Sequence, residues 1–346
     1  MRKYDVLVVG GGPAGSSCAY TLAKSGLKVL VVDFKRKIGT PVQCAEFVPV
    51  QLFNSFPEFF TRESISQEVD NMLHFTPWGE TVLMSSKGFV LNREVFDYHI
   101  SQLAREEGAE YLLGTLFIGM EDSHVWLERI DTRERFFVRA DIAVGADGPR
   151  SRVAKQTGKH TKDFLTTAQV RVPLNTKVKD LLIYFREYIP GGYGWVFPKG
   201  ESANVGVGID PAYNMNVMES LKIFLSELLK EELIGEKVLS RTGGWIPAEG
   251  LLDVIRNRVL LVGDAGGFCH PITGGGIANA IISGTMAGKA IASGKLSDYE
   301  EEAWEVFGTT LERAARKRKK YMKRWDNLSY IIPRTWIAFE EYWRED

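Results

Sequence analysis

The residues best suited to chemistry lie near the start of the chain. Gly10, Gly12 and Gly15 form a G-x-G-x-x-G pattern between an apolar run and a stretch with helical spacing, and a second apolar run, 29–32, ends on Asp33. Glycines permit a tight turn and close backbone approach, a helix amino terminus attracts a pyrophosphate, and the acid suits a ribose diol. This stretch predicts a dinucleotide site, for FAD or NAD, with a plain strand-to-helix turn as the structural alternative.

Two more glycine turns follow apolar runs later in the chain. Residues 145–148 come after the run 141–144, and the glycines of 263–276 come after the run 258–262 and before a helix of small residues, 277–293. Backbone approach and a free helix terminus favour a partial negative charge, for which a reduced flavin ring is the fitting ligand. Small residues for tight helix packing are the alternative.

Two isolated side chains are further candidates for the site. Cys44 lies in a turn-rich connection after Asp33, where its thiol could face a redox ring or be a small buried hydrophobe. Arg93 lies near the start of a predicted helix, where a cation gains nothing from the helix dipole. It therefore either binds an anion or is solvated.

The composition is that of an ordinary globular protein of two domains. The 346 residues are 45% hydrophobic and 25% charged, with a net charge of -1, which argues against a general nucleic-acid binder. The three cysteines show neither metal-ligand nor disulfide spacing, so no metal is expected. With no leader pattern and no apolar run of about 18 residues, we expect a cytoplasmic protein.

The patterns around these motifs predict an α/β fold. A Rossmann-like FAD-binding domain is expected over 1–70, 88–160 and 250–296, with an inserted, mainly antiparallel β-sheet substrate domain over 71–87 and 161–249. The first insert reads as a hairpin, and one amphipathic helix around 221–229 stands among the strands of the second.

The carboxyl-terminal segment, 297–346, reads as helix. It is acidic at first and then basic, and it ends in aromatic residues; the basic residues are Arg313, Arg316, Lys317, Arg318, Lys319, Lys320, Lys323 and Arg324. Basic residues beside aromatics suit the inner face of an anionic membrane or a lipid head group. The alternative is a solvated helix whose aromatics pack on the body of the protein.

Three glycine turns in this order, with the inserted β-rich domain, resemble the flavoprotein hydroxylase-like FAD enzymes. Within that group the chain is similar to the geranylgeranyl reductase family, which saturates isoprenoid double bonds. The likeness covers about 4–288 and rests on these segments: Gly11-Gly12-Pro13-Ala14-Gly15-Ser16-Ser17, Gly39-Thr40-Pro41 with Cys44, Pro190-x-x-Tyr193-x-Trp195-x-Phe197-Pro198, Asn204-Val205-Gly206-Val207-Gly208, Gly244-Trp245-Ile246-Pro247, and Gly263-Asp264-Ala265 through Pro271-x-Thr273-Gly274-x-Gly276-Ile277. The segment with alternating aromatics is the most specific of these.

The resemblance implies FAD as cofactor and assigns roles to individual residues. Asp33 would bind the adenosine ribose, Arg93 the pyrophosphate and Asp264 the ribitol hydroxyls. The expected cofactor-binding residues are Gly10, Gly12, Pro13, Ala14, Gly15, Asp33, Phe34, Lys35, Cys44, Ala45, Arg93, Asp147, Gly148, Gly263, Asp264, Gly274, Gly275, Gly276 and Ile277. Catalytic candidates are Cys44, Glu46, Tyr193 and Trp195, and the expected substrate contacts are Tyr193, Trp195, Phe197 and Trp245.

The implied reaction is hydride transfer from reduced FAD to a carbon–carbon double bond of a prenyl lipid. No second G-x-G-x-x-G pattern is present, so the electron donor would be NAD(P)H at another surface or a reduced protein such as ferredoxin. Glu46 stands where many family members have glycine, which makes it a further candidate acid. The chain is also shorter than many archaeal lipid reductases.

Two other functions remain open from the sequence. A flavin monooxygenase or halogenase shares the fold, although hydroxylases often have Gly-Asp-Ala-Ala followed by His, and this chain has Gly267. The other is a flavin-bearing electron carrier or membrane-associated binding protein, for which the basic, aromatic tail is the only support.

Overall fold

The computed structural model describes residues 2–322 and 324–344. Its strands are β1 (Lys3–Val9), β2 (Val29–Asp33), β3 (Phe47–Pro49), β4 (Ile65–Phe75), β5 (Thr81–Leu91), β6 (Glu110–Leu113), β7 (Thr115–Glu121), β8 (His124–Arg129), β9 (Arg135–Gly145), β10 (Phe164–Pro173), β11 (Leu181–Tyr184), β12 (Tyr193–Lys199), β13 (Ser202–Ile209), β14 (Ser240–Pro247), β15 (Ile255–Arg256) and β16 (Val259–Leu261). Its α-helices are α1 (Pro13–Lys24), α2 (Val50–Ser55), α3 (Arg93–Glu106), α4 (Arg152–Thr157), α5 (Val217–Lys230), α6 (Ile277–Ser293), α7 (Leu296–Ala303), α8 (Thr309–Tyr321), α9 (Leu328–Thr335) and α10 (Glu340–Trp343).

The first sheet has a parallel core in the order β16-β9-β1-β2-β6, with β15 antiparallel at one edge. The β7–β8 hairpin pairs with β9, a long strand that contains the apolar run 141–144. Residues 6–9 and 29–32 are buried, as continuous apolar runs of a parallel sheet are expected to be. The carboxyl ends of β1, β2, β9 and β16 therefore meet at one edge.

Helices α1 and α6 lie against each other with very little between their backbones. A Cβ atom built on Gly284 would lie 2.2 Å from the carbonyl oxygen of Ala14, and one on Gly288 would lie 2.7 Å from the Cβ of Thr21. The small residues of α6 thus serve helix packing, which was the alternative function considered for them. Close packing also brings the amino terminus of α6 to the edge where α1 begins.

The second sheet has the order β14-β10-β13-β12-β11-β4-β5-β3 and is antiparallel except for the β4–β11 pair. Helix α5 covers one face, where Phe224 and Leu228 pack in a core with Val205 and Val207. The predicted hairpin is present but longer than expected, since β4 begins at Ile65 and the predicted boundary at 70 falls inside it. The α/β fold with a mainly antiparallel second sheet is confirmed, whereas the exact domain limits stay a prediction.

The carboxyl-terminal segment packs on the second sheet. Trp336 and Tyr342 are buried in one core with Ile183 and Phe185 of the region around β11. This packing agrees with the alternative in which the tail aromatics lie on the body of the protein, although Tyr330 and Trp343 are exposed.

Part of the basic run is buried with its partners. Lys317 donates to the backbone oxygens of Glu341 and Arg344, and Arg318 donates to Asp210 at 2.6 Å. Lys323 lies outside the described residues. None of the helices in the described part of the chain combines the length and the apolar character that a bilayer crossing requires.

Candidate active site

A cavity of about 1260 Å³ opens where the carboxyl edge of the first sheet meets the second sheet. The turn after β1, the end of β2, the turn after β9 and the segment before α6 line one part of it, and strands β10, β12 and β14 line another. Every residue assigned to the site from the sequence lines this cavity except Gly15. Elements far apart in the chain therefore converge on one space.

The glycines of the first turn have different tasks. Gly10 has φ +104°, and a Cβ there would lie 2.2 Å from the carbonyl oxygen of Ala146, while one on Gly15 would lie 1.8 Å from the carbonyl oxygen of Gly10. Those two glycines allow β1, α1 and the β9 turn to touch. Gly12 differs, because no heavy atom lies within 4 Å of its built Cβ. Its missing side chain leaves the cradle open at the amino terminus of α1, which fits a pyrophosphate. Gly15 does not line the cavity but packs against Gly10, and its contact with a cofactor stays a prediction.

Asp33 is held in place by the backbone at the end of β2. Its carboxylate accepts from the backbone N–H of Gly11 at 2.7 Å and of Lys35 at 2.8 Å. A carboxylate has about four acceptor positions, so two remain for a ribose diol. Phe34, 55% exposed, lies at the rim of the cavity beside it.

Asp147 and Gly148 form the middle of the cradle. The Asp147 carboxylate accepts from the Ser151 hydroxyl at 2.5 Å and from the backbone N–H of Arg152 at 2.6 Å, which fixes the turn before α4. Burial raises the pKa of Asp147, and these hydrogen bonds lower it in part. Gly148 has φ +78° and open space at its Cβ position, so it keeps this wall free for a ligand.

Arg93, the first residue of α3, pairs with Asp97 one turn later. Its Nε and one terminal nitrogen donate to the two carboxylate oxygens at 2.6 and 2.8 Å, and the arginine side chain is 13% exposed. The prediction of a solvated arginine is wrong, because the anion it needs lies on its own helix. Arg93 still lines the cavity, and its contact with a pyrophosphate stays a prediction.

The segment before α6 forms the end suited to a flavin ring. Gly276 precedes α6 without a side-chain cap, so the positive end of this 17-residue helix faces the cavity at Gly274, Gly275 and Ile277. Asp264 lies beside it, with Oδ1 3.2 Å from the built Cβ of Gly276. The residues present fit FAD, with a cradle for its phosphates at one end and a positive helix terminus at the other.

Cys44 is tied to the second sheet through a side chain that sequence reasoning missed. The Gln169 amide donates to the Cys44 carbonyl at 3.0 Å and accepts from the Trp195 indole N–H at 2.9 Å. Cys44 lines the cavity, and burial is the main cause that raises the pKa of its thiol. At neutral pH the thiol therefore carries its proton. Gln169 lies on β10, where apolar and polar residues alternate. Nothing in that pattern distinguishes Gln169 from the other polar residues of the strand.

Glu46 is not a free acid. Its carboxylate accepts from Lys199 at 2.6 Å, from Asn204 at 2.7 Å and from the backbone N–H of Arg93 at 3.0 Å. The side chain is about 5% exposed. Three donors occupy its two oxygens, which favours a structural role over the proton donor predicted for it.

Aromatic side chains form the apolar end of the cavity. Tyr193, Trp195 and Phe197 alternate along β12 and all line it. The Tyr193 hydroxyl donates to the carbonyl oxygen of Thr273 at 2.5 Å, which joins this wall to the segment before α6. Trp336 packs edge-on against Tyr193 at 4.7 Å between ring centroids. Trp336 was missed as a cavity residue because the tail has no sequence signal that places it there.

Trp245 stands apart from this wall. Its side chain is 45% exposed, and the Arg150 guanidinium lies 4.4 Å above its ring. It lines the cavity near the surface. We therefore place Trp245 at the mouth of the cavity.

Asp264 should make the free energy of unfolding of the apoprotein depend on pH. Burial raises its pKa to about 6, with a smaller opposing effect of Arg93, whereas in the unfolded chain a pKa near 4 is usual. Between these values the folded apoprotein binds more protons than the unfolded chain, so its free energy of unfolding falls as pH rises. We expect Asp264→Asn to remove this part of the dependence. Urea unfolding of both apoproteins from pH 4 to pH 7 checks it, and parallel curves would contradict it.

Comparisons with known proteins agree with this geometry. Residues 5–149 match the model of the FAD dependent oxidoreductase family, and residues 163–246 match that of the geranylgeranyl reductase catalytic domain. The chain is 36% identical to the digeranylgeranylglycerophospholipid reductase of Methanocella arvoryzae, over 94% of this chain and 89% of the relative.

Solved structures show the same fold. The geranylgeranyl bacteriochlorophyll reductase-like protein of Thermoplasma acidophilum superposes with a TM-score of 0.88 at 29% identity, over 98% of this chain and 92% of the other. A flavin-dependent brominase superposes with a TM-score of 0.73 at 17% identity, over 95% and 89% of the two chains, and shares the fold alone. The chain belongs to the geranylgeranyl reductase family and is an FAD-dependent oxidoreductase.

Proposed function

We propose that the protein reduces carbon–carbon double bonds in the prenyl chains of a digeranylgeranyl glycerophospholipid. The observation that carries the proposal is the shape of the cavity, which joins a dinucleotide cradle to an aromatic, apolar end. Its volume of about 1260 Å³ exceeds the roughly 300–1,000 Å³ usual for one small ligand. We infer that the cavity holds a length of hydrocarbon beside FAD.

The relatives support this choice of substrate. Those from Methanocella arvoryzae and Methanocaldococcus jannaschii are both named digeranylgeranylglycerophospholipid reductase, and the second is 33% identical over 94% of this chain. The match to the catalytic-domain model contains β12, which carries the aromatic wall.

The chemistry divides between cofactor and protein. When bound and reduced, FAD supplies a hydride equivalent to one alkene carbon, and a proton must reach the other. Tyr193, Trp195 and Phe197 would orient the chain and exclude water from it. The protonated thiol of Cys44 is the proposed proton donor, since it lines the same cavity.

A single-turnover experiment tests the reaction. We expect anaerobic, dithionite-reduced holoenzyme, mixed with detergent-solubilised digeranylgeranylglyceryl phosphate, to return FAD to its oxidised absorbance and to add two hydrogens per double bond, read by mass spectrometry. Cys44→Ser should slow this step by roughly 10²–10⁴-fold if the thiol delivers the proton. Cys18→Ala is the matched control, because Cys18 lies in the core of the first domain and not at the cavity.

A parallel aerobic reaction with NAD(P)H and an aromatic substrate tests the main alternative. Oxygen incorporation into an aromatic substrate, with no lipid reduction, would favour a flavin monooxygenase or halogenase. The support for that alternative is the fold that this chain shares with solved flavin-dependent brominases and monooxygenases. Their sequence identities to this chain are too low to indicate its activity.

The electron donor is a further part of the proposal. NAD(P)H or a reduced protein such as ferredoxin would regenerate the flavin, and the rate of anaerobic flavin reduction by each donor distinguishes them.

Peripheral contact with a membrane would use the exposed Tyr330 and Trp343 of the tail. Flotation of the Tyr330→Ser, Trp343→Ser variant with anionic vesicles tests it without removing the buried Trp336.

A further inference from the structure

We infer that Glu46 is a positioning residue, which fixes the Cys44 turn against helix α3 and the second sheet through a buried pair with Lys199. The inference rests on the proposed function for the importance of Cys44 in turnover. The geometry of the turn does not depend on that function, and alkylation of the thiol tests it separately.

The backbone at Glu46 is unusual for a residue with a side chain. Glu46 has φ +78°, in the left-handed region that favours glycine, and it is buried. A glutamate held in this conformation is strained, so its contacts must outweigh the cost of that strain. A carboxylate is therefore retained here for what it binds.

The contacts of Glu46 run in three directions. Oε1 accepts from the backbone N–H of Arg93 at the start of α3, where a negative charge also complements the helix dipole. Oε2 accepts from Lys199 at the end of β12 and from Asn204 on β13. One carboxylate thus joins a helix of the first domain to two strands of the second sheet.

The same residue holds the thiol through its main chain. The backbone N–H of Glu46 donates to Cys44 Sγ at 3.2 Å, and its carbonyl oxygen accepts from Leu91 N at 2.8 Å. Asn204 also donates to the carbonyl oxygen of Ala45, at 3.3 Å. Every residue of the turn from 44 to 46 is therefore anchored to a neighbouring element.

The pair with Lys199 is buried on both sides. The side chains of Lys199 and Glu46 are 6% and 5% exposed. Desolvation is the main cause that lowers the pKa of Lys199, with the nearby Arg171 adding to it and Glu46 opposing it. Arg93 faces the same turn, but its guanidinium is neutralised by Asp97. Lys199 thus depends on Glu46 for its counter-charge.

Alkylation of Cys44 measures its position without any lipid substrate. In the FAD-loaded protein we would follow N-ethylmaleimide labelling of the Cys44 peptide by mass spectrometry across pH, in Glu46→Gln and Asn204→Ser. Glu68→Gln is the matched control, since Glu68 is an exposed glutamate on β4. We expect the limiting rate at high pH to rise about tenfold in both variants, as a loosened turn exposes the thiol more often.

The two variants separate position from charge. Removal of the Glu46 charge should also lower the midpoint pH of labelling, because that charge raises the pKa of the thiol, whereas Asn204→Ser should leave the midpoint unchanged. Unchanged limiting rates in both variants overturn the inference. If Glu46→Gln fails to fold, Asn204→Ser decides alone. Faster labelling with undiminished lipid reduction would uphold the positioning of Cys44 and instead refute its proposed part in the reaction.

Discussion

Gly12→Val is expected to yield a folded protein that does not retain FAD. The built Cβ of Gly12 meets no protein atom within 4 Å, so the side chain costs the fold little, yet it enters the space where the pyrophosphate would lie. We expect the affinity for FAD to fall by at least about 100-fold, because the second glycine of this pattern admits the phosphates to the backbone.

Flavin absorbance of the purified protein and FAD titration of the apoprotein measure this loss, and far-ultraviolet circular dichroism verifies the fold. Gly119→Val is the control, because Gly119 lies in β7 of the same sheet without lining the cavity, and its built Cβ is 3.9 Å from the nearest atom. A Gly12→Val protein that still binds a full complement of FAD would refute the assignment of this turn to the pyrophosphate.

Asp97→Asn is expected to destabilise the protein by about 3–5 kcal/mol, the usual cost when a buried ion pair loses one partner. The change keeps the shape of the side chain but leaves the Arg93 guanidinium buried without its counter-charge. The free energy of unfolding in guanidinium chloride, measured on the apoprotein, tests this expectation.

The chain offers a control for that change with the same spacing. Glu340 and Arg344 form an ion pair four residues apart on the surface, with side chains 90% and 68% exposed. Glu340→Gln should change the stability by about 0–1 kcal/mol, as exposed pairs do. Equal losses of unfolding free energy in the two variants would mean that burial does not strengthen the contribution of the Arg93–Asp97 pair to stability.

Sequence patterns predicted the parts of the fold that depend on local signals. The first glycine turn follows from apolar periodicity and glycine spacing, and the limits of α6 were predicted to the residue. The pairing of Arg93 with Asp97 was also within reach, since arginine and aspartate four residues apart on a helix commonly interact. The pair was missed because Arg93 was considered without its neighbour Asp97.

The remaining features depend on contacts between distant segments. Lys199 meets Glu46 across 153 positions, and Gln169 meets Cys44 across 125. Trp336 enters the cavity wall because the tail folds back on the second sheet, although its own sequence indicates only a helix that ends in aromatic residues. Such contacts are decided by packing in three dimensions, which periodicity does not report.

The scattered origin of the cavity wall has a consequence for synthesis of the protein in the cell. The cradle needs both Gly12 and Gly276, and the aromatic wall needs Trp336 as well. At about 5–20 residues per second, a ribosome takes roughly 13–50 s to pass from the first of these glycines to the second. The nascent chain must therefore wait for its cofactor until most of it has been translated. During that interval β12 has left the ribosome before Trp336 can cover its aromatic side chains, so those side chains are exposed on the emerging chain.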